Sequence, residues 1–374
     1  MPYVDEFRDG RVARKIAAAI AAEVRPERQY RFMEFCGGHT HAIYRYGIQD
    51  LLPANIRMIH GPGCPVCVLP MGRIDNAIAL ARTPGVILAS YADMLRVPGS
   101  KGTSLMKARA DGADVRMIYS ASDALQLAVA HPDRQVVFFA IGFETTTPPT
   151  AVVLKRAVQL GLSNFSVFCN HVLTPPAMRG ILDTDAVAID GFVGPSHVSA
   201  IIGTRPYDFV ARDYRRAVVI SGFEPLDVLQ SVLMLVGQVN AGRVAVENEF
   251  SRAVDADGNR KAQTLMAEVF ELRPSFEWRG LGSMPHSALR IRADYADFDA
   301  ERRFDVAPLF VPDHKACECG DILRGVKRPR DCKVFGTACT PDQPIGACMV
   351  SSEGACAAYY NYGRFKDVAV AGQA

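Results

Sequence analysis

The feature that most constrains this chain is an alternation of two kinds of segment. Short apolar runs, "IRMIHG" (56–61), "GVILAS" (85–90), "VRMIYS" (115–120) and "QVVFFAIG" (135–142), are separated by helical patterns, "RIDNAIALAR" (73–82), "DMLRVP" (93–98) and "ASDALQLAVA" (121–130). Alternation of this kind predicts parallel βαβ units. Sheets so built place ligands where strand ends feed glycine-rich or polar loops.

The pattern also repeats at longer range. "VVFFAIGFETTTPPTAVVLKRAV" and "AVVISGFEPLDVLQSVLML" each read as apolar strand, Gly-Phe-Glu, then amphipathic helix, at Gly142–Glu144 and Gly222–Glu224. Upstream, "VILASYADMLRVPG" parallels "GFVGPSHVSAIIGTRP". The predicted fold class is therefore α/β, with two related βαβ-type domains. The first, residues 1–140, would hold an N-terminal helix and the earliest cysteine motifs, and the second would span 141–235. Residues 236–374 lose the βα alternation, become cysteine-rich, and read as a third domain held together partly by what its cysteines bind. A length of 374 residues and 49% hydrophobic content suit two or three cores.

Charge excludes some functions. The 42 Lys+Arg against 40 Asp+Glu give a formal +2, with no long block of either sign. Neither a nucleic-acid nor a membrane-surface partner is expected. The N-terminus mixes acids and bases and is unlike a signal peptide, and no window approaches about 18 consecutive apolar residues. The expectation is a cytoplasmic protein without a membrane span, whose ten cysteines are reduced and serve metal or redox chemistry. Cys169, isolated in "FSVFCNH", reads instead as a buried small hydrophobe.

The remaining cysteines fall into constellations. Cys317, Cys332, Cys339 and Cys356, spaced by 14, 6 and 16 residues, suit a cubane cluster or a tetrahedral zinc, and spacing does not choose between them. Cys319 and Cys348 lie outside that pattern. In "GPGCPVC", Cys64 and Cys67 have the two-residue spacing of thiol–disulfide exchangers, and the flanking glycines and prolines predict an exposed loop. "FMEFCGGHTHAIYRYG" sets Cys36, His39 and His41 around Gly37 and Gly38, a thiol and two imidazoles that could ligate metal and relay protons, with Thr40 as a candidate helix cap. "IGFETTTPP" puts Glu144 at a strand end, where it could act chemically or cap a helix.

The motifs "CGGHTH", "GPGCPVC", "GFETT" and "GLGSMP" and the four-cysteine tail, in that order from about residue 32 to 356, resemble the hydrogenase maturation protein HypD family. The resemblance implies a [NiFe]-hydrogenase assembly factor, redox-active and not a turnover enzyme in the ordinary sense. It implies two related α/β domains and a third carrying a [4Fe-4S] cluster on Cys317, Cys332, Cys339 and Cys356. Cys36 would bind an Fe carrying CN and CO ligands, with Cys64 and Cys67 as the adjacent redox and metal-handling pair. The implied partners are a HypC-type small chaperone, a HypE-type cyanide donor and, indirectly, the hydrogenase large subunit. His39 or His41 would move protons. A free-standing iron–sulfur oxidoreductase acting on a small molecule is the rival reading, disfavoured by the lack of a GxGxxG or Walker-type loop. A zinc-stabilised binding module would leave CPVC and CGGHTH without a purpose.

Overall fold

A computed structural model of the chain describes residues 5–184 and 186–363. The apolar runs become nine parallel strands: β1 (Tyr30–Glu34), β2 (Ile56–His60), β3 (Val86–Tyr91), β4 (Asp114–Ile118), β5 (Gln135–Gly142), β6 (Phe165–His171), β7 (Gly191–Pro195), β8 (Ala217–Ser221) and β9 (Val246–Asn248). They form two sheets, ordered β2-β1-β7-β8-β9 and β4-β3-β5-β6. Central strands are buried along their whole length, as in Ala217–Ser221, which explains why they read as continuous apolar runs without period-two alternation.

The α/β class and its parallel sheets stand as expected, and the internal echo has a structural counterpart. The β3–β5 and β7–β8 pairs are neighbours in their own sheets, and β5 and β8 each lead through Gly-Phe-Glu into a long helix, Thr147–Gln159 or Pro225–Asn240. Strand pairing does not follow the expected boundary at 140/141, however. That boundary cuts β5, and the first sheet takes strands from residues 30–60 and 191–248, with the second sheet inserted between them. The boundary at 235/236 falls inside Pro225–Asn240 and ahead of β9, which pairs with β8. Sequence alternation locates strands but not their neighbours, because pairing is decided by which edge remains open when a crossover returns.

Local signals set the helix starts. Asp9 accepts from the amides of Arg11 and Val12, Ser120 and Asp123 form a capping box, and Pro225 opens its helix with Glu224 and Asp227 bonded reciprocally. Beyond Asn248 the chain adds a helix, Arg260–Val269, and two small antiparallel pairs, Phe270–Leu272 with Leu289–Ile291 and Ser275–Trp278 with Gly282–Pro285.

This later part is fastened to the second sheet by a buried charge network. Arg273 donates to both carboxylate oxygens of Glu301 at 2.6 and 3.1 Å, Arg73 donates to the same carboxylate, and both guanidiniums reach the Cys169 carbonyl at 3.0 and 3.2 Å. Arg73 also lies over the Phe168 ring, 4.1 Å from its centroid. Burial alone would raise the Glu301 pKa, but Arg73 and Arg273 more than offset it and hold the carboxyl below its ordinary 4.5. A depressed acid contributes stability above its unfolded pKa and loses it as pH falls through its folded one. Glu301→Gln strands two guanidiniums and is expected to cost about 3 kcal/mol in urea unfolding at neutral pH. The wild-type advantage should shrink as pH drops below the ordinary glutamate range.

Candidate thiol and metal site

The chemistry-bearing residues gather where strands end. β1 runs out at Glu34, and Cys36 occupies the N-cap of helix Gly37–Arg45 with extended backbone and no side-chain capping bond. The glycines after it are required by packing. A Cβ on Gly37 would stand 2.5 Å from Glu353 and one on Gly38 2.7 Å from the Phe223 ring. Neither has positive φ, so close approach and not left-handed backbone explains them. On the other side, a Cβ on Gly63 would be 2.4 Å from the Cys36 amide nitrogen, and Gly37 N–H donates to Gly63 O at 3.3 Å. The CGGHTH and GPGCPVC motifs are thus pressed backbone to backbone.

Glu34, fully buried, organises this junction. Its carboxylate accepts from the Cys36 amide at 2.9 Å, from the Thr40 hydroxyl, and from His60 Nδ1 at 2.8 Å. Thr40 therefore does not cap the helix as expected; it lies inside it and serves Glu34. His39 is buried with Nε2 donating to the carbonyls of Ser221 and Gly222 at 3.1 and 2.9 Å, and burial lowers its pKa. His41, half-buried, has Nδ1 3.3 Å from Ser352 O and its ring edge-on to Tyr362. Both imidazoles anchor the Cys36 helix to neighbouring segments. Burial first, then the Glu353 and Glu34 carboxylates, push the Cys36 thiol far up. A soft cation bound there would reverse that balance and take the thiolate.

Cys64 caps the short turn Pro65–Val68 and Cys67 lies within it, their sulfurs 2.7 Å apart. The expected exposed loop is corrected here: Cys64 and Cys67 are 3% and 0% exposed and belong to the largest hydrophobic core. The prolines and glycines shape a tight turn, and the helix after it buries that turn between the sheets and the C-terminal segment. Cys67 also contacts Cys348, Cys348 contacts Cys319, and Cys319 contacts both Cys317 and Cys356. Cys319 and Cys67 together draw the Cys348 thiol down, while burial and its sulfur neighbours push Cys67 up. All ten cysteines are free thiols, and these six make a continuous row of sulfur.

Sequence spacing missed Cys319 and Cys348, the two that join the tail to the CPVC pair. Of the four expected cluster ligands, Cys317 and Cys356 meet through Cys319, and Cys339 lies close enough to feel the charge of both Cys317 and Cys319. Cys332 stands apart beside Glu318. Among the described residues no three His, Cys, Asp or Glu side chains converge as metal ligands. The donor chemistry nonetheless fits an iron–sulfur group. Soft thiols dominate, the Ile345 amide donates to Cys339 Sγ at 3.4 Å, and Gly346 leaves room that a Cβ would fill, 2.3 and 2.5 Å from the Cys317 and Cys319 sulfurs.

The GLGSMP motif brackets these parts. Arg279, just before it, is buried; its amide donates to Val68 O at 2.8 Å, its Nε to Leu69 O at 3.0 Å, and its Nη1 to the Asp313 carboxylate. Gly280, at φ +79°, lies against Gly320, where a Cβ would be 2.4 Å from the Gly320 Cα. One turn thus clamps the end of the CPVC segment to the chain carrying Cys317 and Cys319. Lysine keeps the charge but not the planar fork. Arg279→Lys and Arg279→Gln are both expected to speed alkylation of Cys64 and Cys67 severalfold with unchanged circular dichroism, read by mass mapping of the reduced protein.

Glu144 is buried after β5, accepting from the Thr174 amide at 2.9 Å and bonding the Thr174 hydroxyl at 3.0 Å; it caps no helix by hydrogen bond to its own segment. Thr146, at the N-cap, donates back to Ile141 O and Phe143 O. Burial raises Glu144 from 4.5 to about 7. An acid with a raised folded pKa costs stability as pH rises above its unfolded value, and the cost is complete above its folded one. Glu144→Gln should therefore match the wild type near about pH 4 and exceed it by roughly 3 kcal/mol near about pH 8. Urea titrations at the two pH values measure the crossover. Cys169 sits fully buried with its thiol raised to about 11, consistent with a packing role.

Two parallel sheets whose strand ends converge on a buried row of free thiols define an α/β protein with a thiol-rich site. Residues 11–363 match the model of the HypD family, described as a hydrogenase formation hypA family. The chain is 65% identical to the hydrogenase maturation factor HypD of Azotobacter vinelandii over 99% of both chains, and 64% identical to that of Cupriavidus necator over 98% of this chain and 99% of the other. It is 47% identical to the HypD of Escherichia coli K12 over 97% and 98%. This chain belongs to the HypD family. Among the described residues no helix is long and apolar enough to cross a membrane.

Proposed function

We propose that the protein matures [NiFe]-hydrogenases, acting as the scaffold on which an iron acquires its cyanide and carbon monoxide ligands before transfer. The observation that carries this reading is the continuity of the thiols: Cys36 is packed backbone to backbone against the loop of Cys64, and Cys64 begins a sulfur row reaching the tail cysteines. The iron is cargo. Cys36 offers it one thiolate from a half-buried position, and a second ligand comes from a HypC-type small chaperone docked over the Cys36 loop.

The chemistry required is reductive. Release of cyanide from a thiocyanate carried by a HypE-type donor takes two electrons and two protons and leaves a thiol and hydrogen cyanide. Closure of Cys64 and Cys67 to a disulfide yields two electrons and two protons, so one dithiol balances one transfer. The pair sits beside the acceptor thiol and away from water, which keeps it from exchanging with unrelated disulfides. A [4Fe-4S] cluster held by Cys317, Cys332, Cys339 and Cys356 would supply electrons one at a time. Cys319 and Cys348 lie between that segment and Cys67, where they can carry the reducing equivalents inward.

The test is infrared spectroscopy on anaerobically purified protein co-produced with its partners. Wild type should show cyanide and carbonyl stretching bands together with a brown chromophore. Cys36→Ala should lose the bands and keep the chromophore, and Cys64→Ser should keep the chromophore and fail to yield mature hydrogenase. Bands that survive in Cys36→Ala would remove that thiol from the reading.

A further inference from the structure

Away from the thiol site, a cavity of about 400 Å³ lies between β2, the edge strand of the first sheet, and the segment 322–330. Its inner wall is apolar and aromatic, from Met58, Ile43, Ile322 and the rings of Tyr44 and Tyr359; its mouth carries Arg57, Lys327, Arg328 and Arg330. Against these four cations the lining holds a single acid, Asp50. Lys327 is paired with Glu318 and Asp321, and Arg328 with Asp331, while Arg57 forms no ion pair among the described residues.

The placement of Arg57 is costly. Its register partner on β1 is Arg31, and like charges directly opposite on neighbouring strands destabilise a sheet. Partial burial, then repulsion from Arg328, Arg31 and Arg330, outweighs the attraction of Asp331 and lowers its pKa. Cations that crowd one another at the mouth of a preformed cavity favour an anion there, and guanidinium forks match the geometry of phosphate and carboxylate. A cavity of this size with apolar walls and a few convergent polar groups has the character of a small-molecule site.

We propose that this cavity binds a small organic oxyanion, its phosphate or carboxylate head on Arg57 and Arg328 and its apolar body against Tyr44, Met58 and Ile322. The site also has a route to the thiols. His60 lines the cavity and bonds Glu34, whose other oxygen accepts the Cys36 amide, so an occupant stands two side chains from the Cys36 backbone. The inference does not rest on the maturation reading, because binding here is measured without hydrogenase, partner or iron.

The experiment is calorimetric titration of the anaerobically purified full chain at low ionic strength with phenyl phosphate and, separately, phenylacetate. Saturable binding of either probe at one site per chain is expected, and the stronger of the two identifies the head group. Arg57→Gln, a change on an exposed strand position, should weaken it at least tenfold, with Arg57→Lys recovering part of the loss. Absence of binding by both probes, or equal affinity in Arg57→Gln, overturns the proposal.

Discussion

A carboxylate with no access to water holds the thiol site together. Glu34 sits at the end of β1, and removing such a group from solvent is tolerated only where donors replace its hydration. Three do so from three segments: the amide of Cys36, the hydroxyl of Thr40 and the imidazole of His60. Because those donors come from the loop, the following helix and the neighbouring strand, satisfying one carboxylate fixes the orientation of the whole CGGHTH turn. The tilted contact of His60 with Tyr44 and the edge-on contact of Tyr44 with Tyr359 extend that order to the C-terminal helix.

The interleaved topology explains how distant motifs meet. Inserting the second sheet between two halves of the first makes the chain cross between them twice, after β2 and after β6. Glu353 feels both Asp93, after β3, and Glu34, at the end of β1, so strand ends of both sheets converge on the C-terminal segment. That segment supplies Cys317, Cys319, Cys348 and Cys356 and is held down by Arg279 and by Arg96, which donates to Val350 O at 2.6 Å. Burying the thiols in this seam raises most of their pKa values, which suppresses casual thiolate reactivity and reserves it for a bound cation or an adjacent sulfur.

The motifs themselves were legible in the chain, and so was the βα alternation. Cys36, Cys64 and Cys67 stand close in the fold as the motifs imply, and Gly37, Gly38 and Gly63 are explained by close backbone approach. Glu34, His60 and Glu353 carried no signal, because a lone acid or histidine beside an apolar strand reads as an ordinary loop residue. Cys319 and Cys348 were visible as cysteines but not as neighbours. A spacing rule groups residues along the chain, whereas the contact between Cys67 and Cys348 spans 281 positions.

What the sequence determined by itself is what depends on local physics: strands where apolar runs are buried on both faces, helices where caps and prolines start them, and tight turns where glycine and proline cluster. It also determined the chemical vocabulary, thiols with few competing ligands. Tertiary structure alone decided which sheet each strand joins, that the CPVC pair is buried and not displayed, and that arginines from β2 and the tail share the mouth of one cavity. The reason is common to all three. Pairing, burial and clustered charge are relations between segments far apart in the chain, set by which surfaces remain to be covered once the local elements have formed.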